Sequence, residues 1–359
     1  MNAADGTIRL GSGNFPGRLA YTGSGDNTDR VIELAGSSTA GWGTLNHEGT
    51  GPLVISNVTF AAGAKRLYLI GNSTYPATIV GDLVDSGSGN TELVKQNNGI
   101  WILSGDNTYS GQTTLSEGGY GTLTYTGSNT LGGAFAIENG ILRLPAGAYM
   151  SSTNNFGIRR GGAFHLDGGT FIRNTPTGDG ETFSIGHRSG GYGHLAVNSG
   201  SLTCTRLYAG WSGIGTTRFT GGTAAFTHFV HVGRYSYGTL TVMPGGSVSQ
   251  PEITDDNDGY LGFDGGRGEL NLLGGAYLQA RGKFQAGQNN NAATSIVNLC
   301  AGTLTRRYFL YSKGVLLVNF ADWTLAVSGD APAGDVTLIQ SAGTLSVRIA
   351  SLGTILLLQ

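Results

Sequence analysis

The sequence predicts an all-β chain, a single parallel, right-handed β-helix solenoid of about 14 coils, and three observations carry that prediction. Glycine supplies 63 of the 359 residues, while Asp, Glu, Lys and Arg together make up only 12%. That balance is foreign to helical and α/β domains. The hydrophobic 39% of the chain falls in short regular runs, which excludes a disordered low-complexity polymer. A unit of about 25 residues also recurs, and nowhere does a 3.6-residue period take hold.

The recurrence is plainest between residues 183 and 304. Anchor glycines fall at Gly186, Gly210, Gly233, Gly262 and Gly287, with a second set at Gly200, Gly222, Gly246, Gly275 and Gly302. Three residues before each anchor stand Phe183, Leu207, Val230, Gly259 and Phe284. One residue before stand Ile185, Ala209, Val232, Leu261 and Ala286, and between these rows lie Ser184, Tyr208, His231, Tyr260 and Gln285. A period of two marks a strand with one buried face. Parallel stacking puts like side chains in vertical ladders, so each row keeps its size class. The anchors supply positive φ angles and close backbone approach at the corners. A second strand repeats the logic: Leu195/Val197, Leu240/Val242 and Leu270/Leu272 are expected to point inward, and Phe164/Leu166 extend the series upstream. At ~4.8 Å per coil the stack would measure about 65 Å.

The organisation reads as one solenoid over 1–359 rather than separable domains. Residues 1–90 form irregular N-terminal coils, 91–172 a distinctive motif region, 173–312 regular coils, and 313–359 cap strands with denser apolar runs at 315–318, 323–327 and 336–339. A net charge of −2 and a pI near 6.3 leave no electrostatic footprint for nucleic acid. No apolar run approaches the roughly 20 residues of a membrane helix, so membrane insertion is not expected. The opening Met1-Asn2-Ala3-Ala4-Asp5 lacks the basic and apolar regions of a signal peptide. Cys204 and Cys300 are the only cysteines. About four coils would hold them ~20 Å apart, too far for a bridge, so two buried thiols are expected.

Residues 93–115 read Leu-Val-Lys-Gln-Asn-Asn-Gly-Ile-Trp-Ile-Leu-Ser-Gly-Asp-Asn-Thr-Tyr-Ser-Gly-Gln-Thr-Thr-Leu. This run resembles the autotransporter-associated β-strand (passenger-associated) repeat, with its Leu-x-Lys start, its Leu-Ser-Gly-x-Asn-Thr-Tyr centre and its closing Thr-Thr. Gly17 to Gly25 and Thr28 to Ile32 resemble the upstream coils of the same proteins, and the likeness extends over about residues 7–145. The resemblance implies a parallel β-helix exported to a bacterial surface. It implies no enzyme and no cofactor.

Outward positions are where chemistry is sought. Tyr208, His231 and Tyr260 share one row, and the position after the anchor glycine carries His187, Trp211, Arg234 and Phe263. With Tyr235, the set Tyr208, Trp211, His231, Tyr260 and Phe263 would make an aromatic strip able to stack on apolar sugar faces. The competing reading is that these rings stack on each other and shield strand backbone. Asp255, Asp256 and Asp258 offer oxygen ligands for calcium, but a five-residue loop gives an incomplete shell and a solvated turn is the plainer reading. His228 and His231 lack the partners a zinc site needs. Asp264 with Arg234, or Asp255/Asp258 with Arg281, would be the place for polysaccharide cleavage, yet no spacing selects them. The sequence therefore predicts a non-enzymatic structural or adhesive element of a bacterial surface. Its expected partners are further copies of itself, meeting head to tail, or surface glycans. A carbohydrate-binding module is the alternative, and a polysaccharide lyase or hydrolase a more distant one.

Overall fold

In the computed structural model all regular structure is strand, and no described residue is helical. The structure describes residues 6–37, 41–116, 118–173, 183–250, 259–279, 284–288 and 293–299, and thereafter only the course of the strands from Thr303–Thr305 to Thr354–Leu358. The strands wind a parallel β-solenoid of about 11 turns. Fewer turns form than the expected count of about 14 because parallel stacking stops at Val315–Phe320. Trp323–Ser328 runs back antiparallel to that strand, and Val336–Ser341, Thr344–Ile349 and Thr354–Leu358 form an antiparallel sheet. An apolar alternation serves a parallel turn and an antiparallel return equally well, so the sequence pattern does not separate them.

The chain divides into two compact units, 1–156 with 161–175 and 157–160 with 176–359. In the first unit one ladder stacks Asp26–Leu34, Leu53–Phe60, Pro76–Ile79, Ile100–Leu103, Thr122–Tyr125, Gly140–Pro145 and Gly162–Arg173 in parallel. A second ladder stacks Gly17–Tyr21, Trp42–His47, Lys65–Ile70, Thr91–Lys95, Thr113–Leu115 and Phe135–Ile137. Between them Leu67, Leu69, Leu93, Trp101, Leu103, Leu123 and Leu142 are buried. Phe135 and Phe156 stack with centroids 5.0 Å apart, and Phe164 and Phe171 meet edge-on at 5.2 Å. Such pairs add about 0.5–1.5 kcal/mol each beyond their buried area.

In the second unit the rows read from the sequence are the observed register. Phe183 pairs with Leu207, Leu207 with Val230, Val230 with Gly259, and Gly259 with Phe284. Leu195/Val197, Leu240/Val242 and Leu270/Leu272 are all buried. Every anchor glycine, from Gly186 to Gly287, has φ between +64° and +77°, the left-handed region that side chains avoid. In the second glycine set Gly200 and Gly222 also have positive φ, but in the next two turns the feature has moved one residue earlier, to Gly245 and Gly274. Cys204 is buried; Cys300 lies outside the described residues.

Candidate functional site

The motif region folds so that its polar residues, as well as its apolar ones, face inward. Lys95 ends the strand Thr91–Lys95 and is 2% exposed. Its Nζ donates to the carbonyls of Gln96 at 2.6 Å and Asn97 at 3.0 Å, tying down the loop ahead of Ile100–Leu103. Trp101 Nε1 donates to the carbonyl of Ile70, in an earlier strand, at 3.1 Å. Asn107 is wholly buried. Its Oδ1 accepts the Leu83 N–H at 2.9 Å, and its Nδ2 donates to the Gly105 carbonyl at 2.9 Å and to Asn129 Oδ1 at 2.6 Å. Asn129 in turn donates to the carbonyls of Gly127 at 2.8 Å and Tyr149 at 3.0 Å. Two stacked asparagines thus link successive turns, although Asn107 itself lies outside any strand. The Tyr109 hydroxyl lies 2.6 Å from both Tyr125 Oη and Thr113 Oγ1.

The buried lysine has a measurable consequence. Burial pulls the Lys95 pKa from its ordinary 10.5 down to about 8. Between those values the unfolded chain binds more protons than the folded one, so stability rises with pH in that window. The urea midpoint of the first unit is expected to climb from pH 8 towards 10, and Lys95→Met is expected to flatten that climb.

In the second unit the structure does bring the aromatic candidates together. Tyr208 and His231 meet at a tilt with centroids 4.8 Å apart, His231 and Tyr260 likewise at 4.4 Å, and Tyr260 and Phe263 edge-on at 5.0 Å. Trp211 meets Tyr208 edge-on at 4.5 Å and Tyr235 at 6.1 Å. All of these rings but Tyr235 border a pocket of about 350 Å³ together with Phe229 and Arg234. Exposure along the strip is uneven: Tyr208 and His231 are each only 5% exposed, Trp211, Tyr260 and Phe263 are half-buried, and Tyr235 is 51% exposed.

Arg234 packs against four of these rings. Its guanidinium carbon sits 4.4 Å from the Trp211 ring centre, 4.9 Å from Tyr235, and 5.5 Å from both Tyr208 and Phe263. Asp264 Oδ2 stands 3.8 Å from Arg234 Nε. The other side of Trp211 has His187 stacked near-parallel at 6.0 Å. The row after the anchor glycines, His187, Trp211, Arg234 and Phe263, is therefore a continuous stack whose ring faces meet protein groups. Arg234 as its centre is what sequence reasoning missed, although its place in that row was the available signal. A desolvated guanidinium over rings is worth up to about 2 kcal/mol.

Burial, reinforced by the charges of Arg234 and Arg206, lowers the His231 pKa to about 3, so the imidazole is neutral where the row packs. The unfolded chain takes up this proton near pH 6.5. Stability of the second unit is therefore expected to fall as pH drops from 6.5 towards 3, by about 1.4 kcal/mol per pH unit at most. Acid titration of unfolding in His231→Phe, which removes the proton site, is expected to show a shallower slope.

Asp255, Asp256 and Asp258, the calcium candidates, lie outside the described residues, as does Arg281. Among the described residues no group of three or more His, Cys, Asp or Glu is placed to hold a metal ion.

Comparison with known proteins bears on the motif region. Residues 93–119 and 119–144 match the family model described as passenger-associated-transport-repeat. Together the two matches span residues 93–144 of the 359. One curated relative, the adhesin BmaC autotransporter of Brucella suis biovar 1 (strain 1330), is 35% identical over 104 residues, which is 28% of this chain and 3% of the relative. The chain thus matches only a small fraction of that protein's length. No solved structure matches the chain. Lys95, Trp101, Asn107, Tyr109 and Thr113 all fall in the first passenger repeat, and Tyr125 and Asn129 in the second. Within the matched motif, Trp101, Asn107 and Asn129 therefore fasten one turn to the next, while Lys95 ties down the loop that follows it.

Proposed function

We propose that this chain is a structural segment of a bacterial surface passenger with an adhesin-like role, its stacked turns serving as a stiff, protease-resistant spacer. The observation that carries the reading is the use of the repeat's polar residues. Lys95, Asn107, Tyr109 and Asn129 spend their hydrogen bonds on loop carbonyls and neighbouring turns, which serves rigidity and leaves none of them facing a substrate. Likeness to an autotransporter adhesin over part of the chain supports the surface location. No enzymatic step is part of the proposal.

Partners under this reading are surface glycans or further copies of the chain. In growth end to end into filaments, a second copy would meet the antiparallel Trp323–Ser328, which already lies on the edge of Val315–Phe320, in place of a parallel turn.

The test is display. The chain, with an N-terminal epitope, is fused ahead of an outer-membrane β-barrel translocator, and intact cells are probed with antibody and protease. The proposal expects the epitope on the cell surface and a large protease-resistant core. Retention inside the cell, or digestion as fast as an unfolded passenger, would count against it. New reducing ends or unsaturated products released from acidic polysaccharides by the purified chain would replace it with an enzymatic role.

A further inference from the structure

We infer that the first unit holds a subsite for a neutral, β-linked oligosaccharide, built around Trp42. The idea adds a ligand class to the surface role above, and because it is tested on purified protein its failure is separate from failure of that role.

Trp42 opens the strand Trp42–His47 and keeps 45% of its surface exposed. Parallel register places Trp42 beside Arg66 and Arg66 beside Glu92, so the three form one vertical row. Tyr68 leans on the indole, with centroids 5.6 Å apart and planes 55° apart. Beside the ring lies a pocket of about 640 Å³, bordered also by Lys65, Asn90 and the bare backbone of Gly89. Such a volume is in the range that small ligands fill. A side chain at residue 89 would close in on the backbone, since its Cβ would stand 2.3 Å from Ala64 N.

Charge decides the ligand class. Arg66 donates through Nε to Glu92 Oε2 at 2.5 Å, and Nη1 reaches the Tyr68 hydroxyl at 3.5 Å. Lys65 turns its Nζ onto the carbonyls of Ala62 at 2.7 Å and Gly63 at 3.3 Å. Both cations are thus answered by protein acceptors, and the pocket makes no strong demand for an anion. Glu92 and Arg66 of the row, with Asn90 at the pocket's border, offer a carboxylate, a guanidinium and a carboxamide with spare hydrogen-bonding capacity for hydroxyl groups, next to an indole face suited to the apolar side of a pyranose. Successive rungs are ~4.8 Å apart, close to the advance of one ring along a β-linked chain. The second-unit row lacks this openness, since Trp211 lies between His187 and Arg234.

Affinity electrophoresis tests the assignment, using native gels cast with hydroxyethylcellulose as the neutral β-glucan or with polygalacturonate as the anionic polymer. The full chain is expected to be retarded by the neutral polymer. Trp42→Ala is expected to weaken retardation about tenfold or more and Trp42→Tyr only a few-fold, while Tyr120→Ala, which removes a ring 72% exposed on another turn, leaves it unchanged. In parallel, the Trp42 indole N–H resonance of the wild-type chain should shift on titration with cellohexaose, a readout that needs no folded variant. Absence of retardation and of any shift, retardation that survives Trp42→Ala, or retardation by polygalacturonate alone would each overturn the inference.

Discussion

Replacing Asn107 with Ala is expected to destabilise the first unit by about 3 kcal/mol or more, since three buried partners lose their bonds at about 1–3 kcal/mol each. The Leu83 N–H, the Gly105 carbonyl and Asn129 Oδ1 all depend on this one carboxamide, and Asn107 has no exposed surface through which water could replace it. The loss should not stay local. In a stack of turns each unit is held by its neighbours, so the turns holding Leu83 and Asn129 should loosen with the one that holds Asn107. Denaturant titration of the purified variant checks the magnitude. A change below about 1 kcal/mol, the ordinary net worth of a single hydrogen bond, would mean that the asparagine stack is not a fastening.

Gly233→Ala is expected to be comparably severe in the second unit, at about 3–5 kcal/mol from backbone strain and overpacking together. Gly233 has φ +73°, and a Cβ built there would stand 2.1 Å from the Arg267 carbonyl oxygen. That atom is backbone of the next turn, so relief requires the turns to part. Gly233 N–H also donates to the Ala209 carbonyl at 2.7 Å, which holds the corner against the previous turn. Gly190 is the matched control. Its φ is +69°, but a Cβ there would meet nothing within 4 Å, so Gly190→Ala should cost only the left-handed conformation, about 1–2 kcal/mol. Equal melting shifts for the two variants would show that close approach between turns contributes nothing at Gly233.

The register of the second unit was legible in the sequence because a parallel stack compares each residue with its counterpart one turn away. Rows such as Ile185, Ala209, Val232 and Leu261 therefore keep one character and are paired in the structure. The left-handed corners were legible for the same reason, since only glycine recurs there. The number of turns was not, because Trp323–Ser328 alternates like any other strand while running the opposite way. The aromatic row was legible as a set of residues, but the burial of Tyr208 and His231 within it was not. Nothing in the spacing says that the Arg234 side chain lies across Trp211 and Phe263 rather than reaching into solvent. For the passenger repeat the identities of Lys95, Asn107 and Tyr109 stand out in the motif, while their partners lie on other turns or in loops and emerge only from the fold.

The most direct test of the central claim, that the passenger-repeat residues fasten turn to turn, is peptide-resolved hydrogen–deuterium exchange of the whole chain, wild type against Asn107→Ala. The account predicts strong protection of the strands Ile100–Leu103, Thr122–Tyr125 and Ser128–Leu131 in the wild type. In the variant, faster exchange should appear in these strands and around Leu83 together, leaving the second unit unchanged. Unaltered protection across those turns, or a change confined to the peptide that carries residue 107, would contradict it.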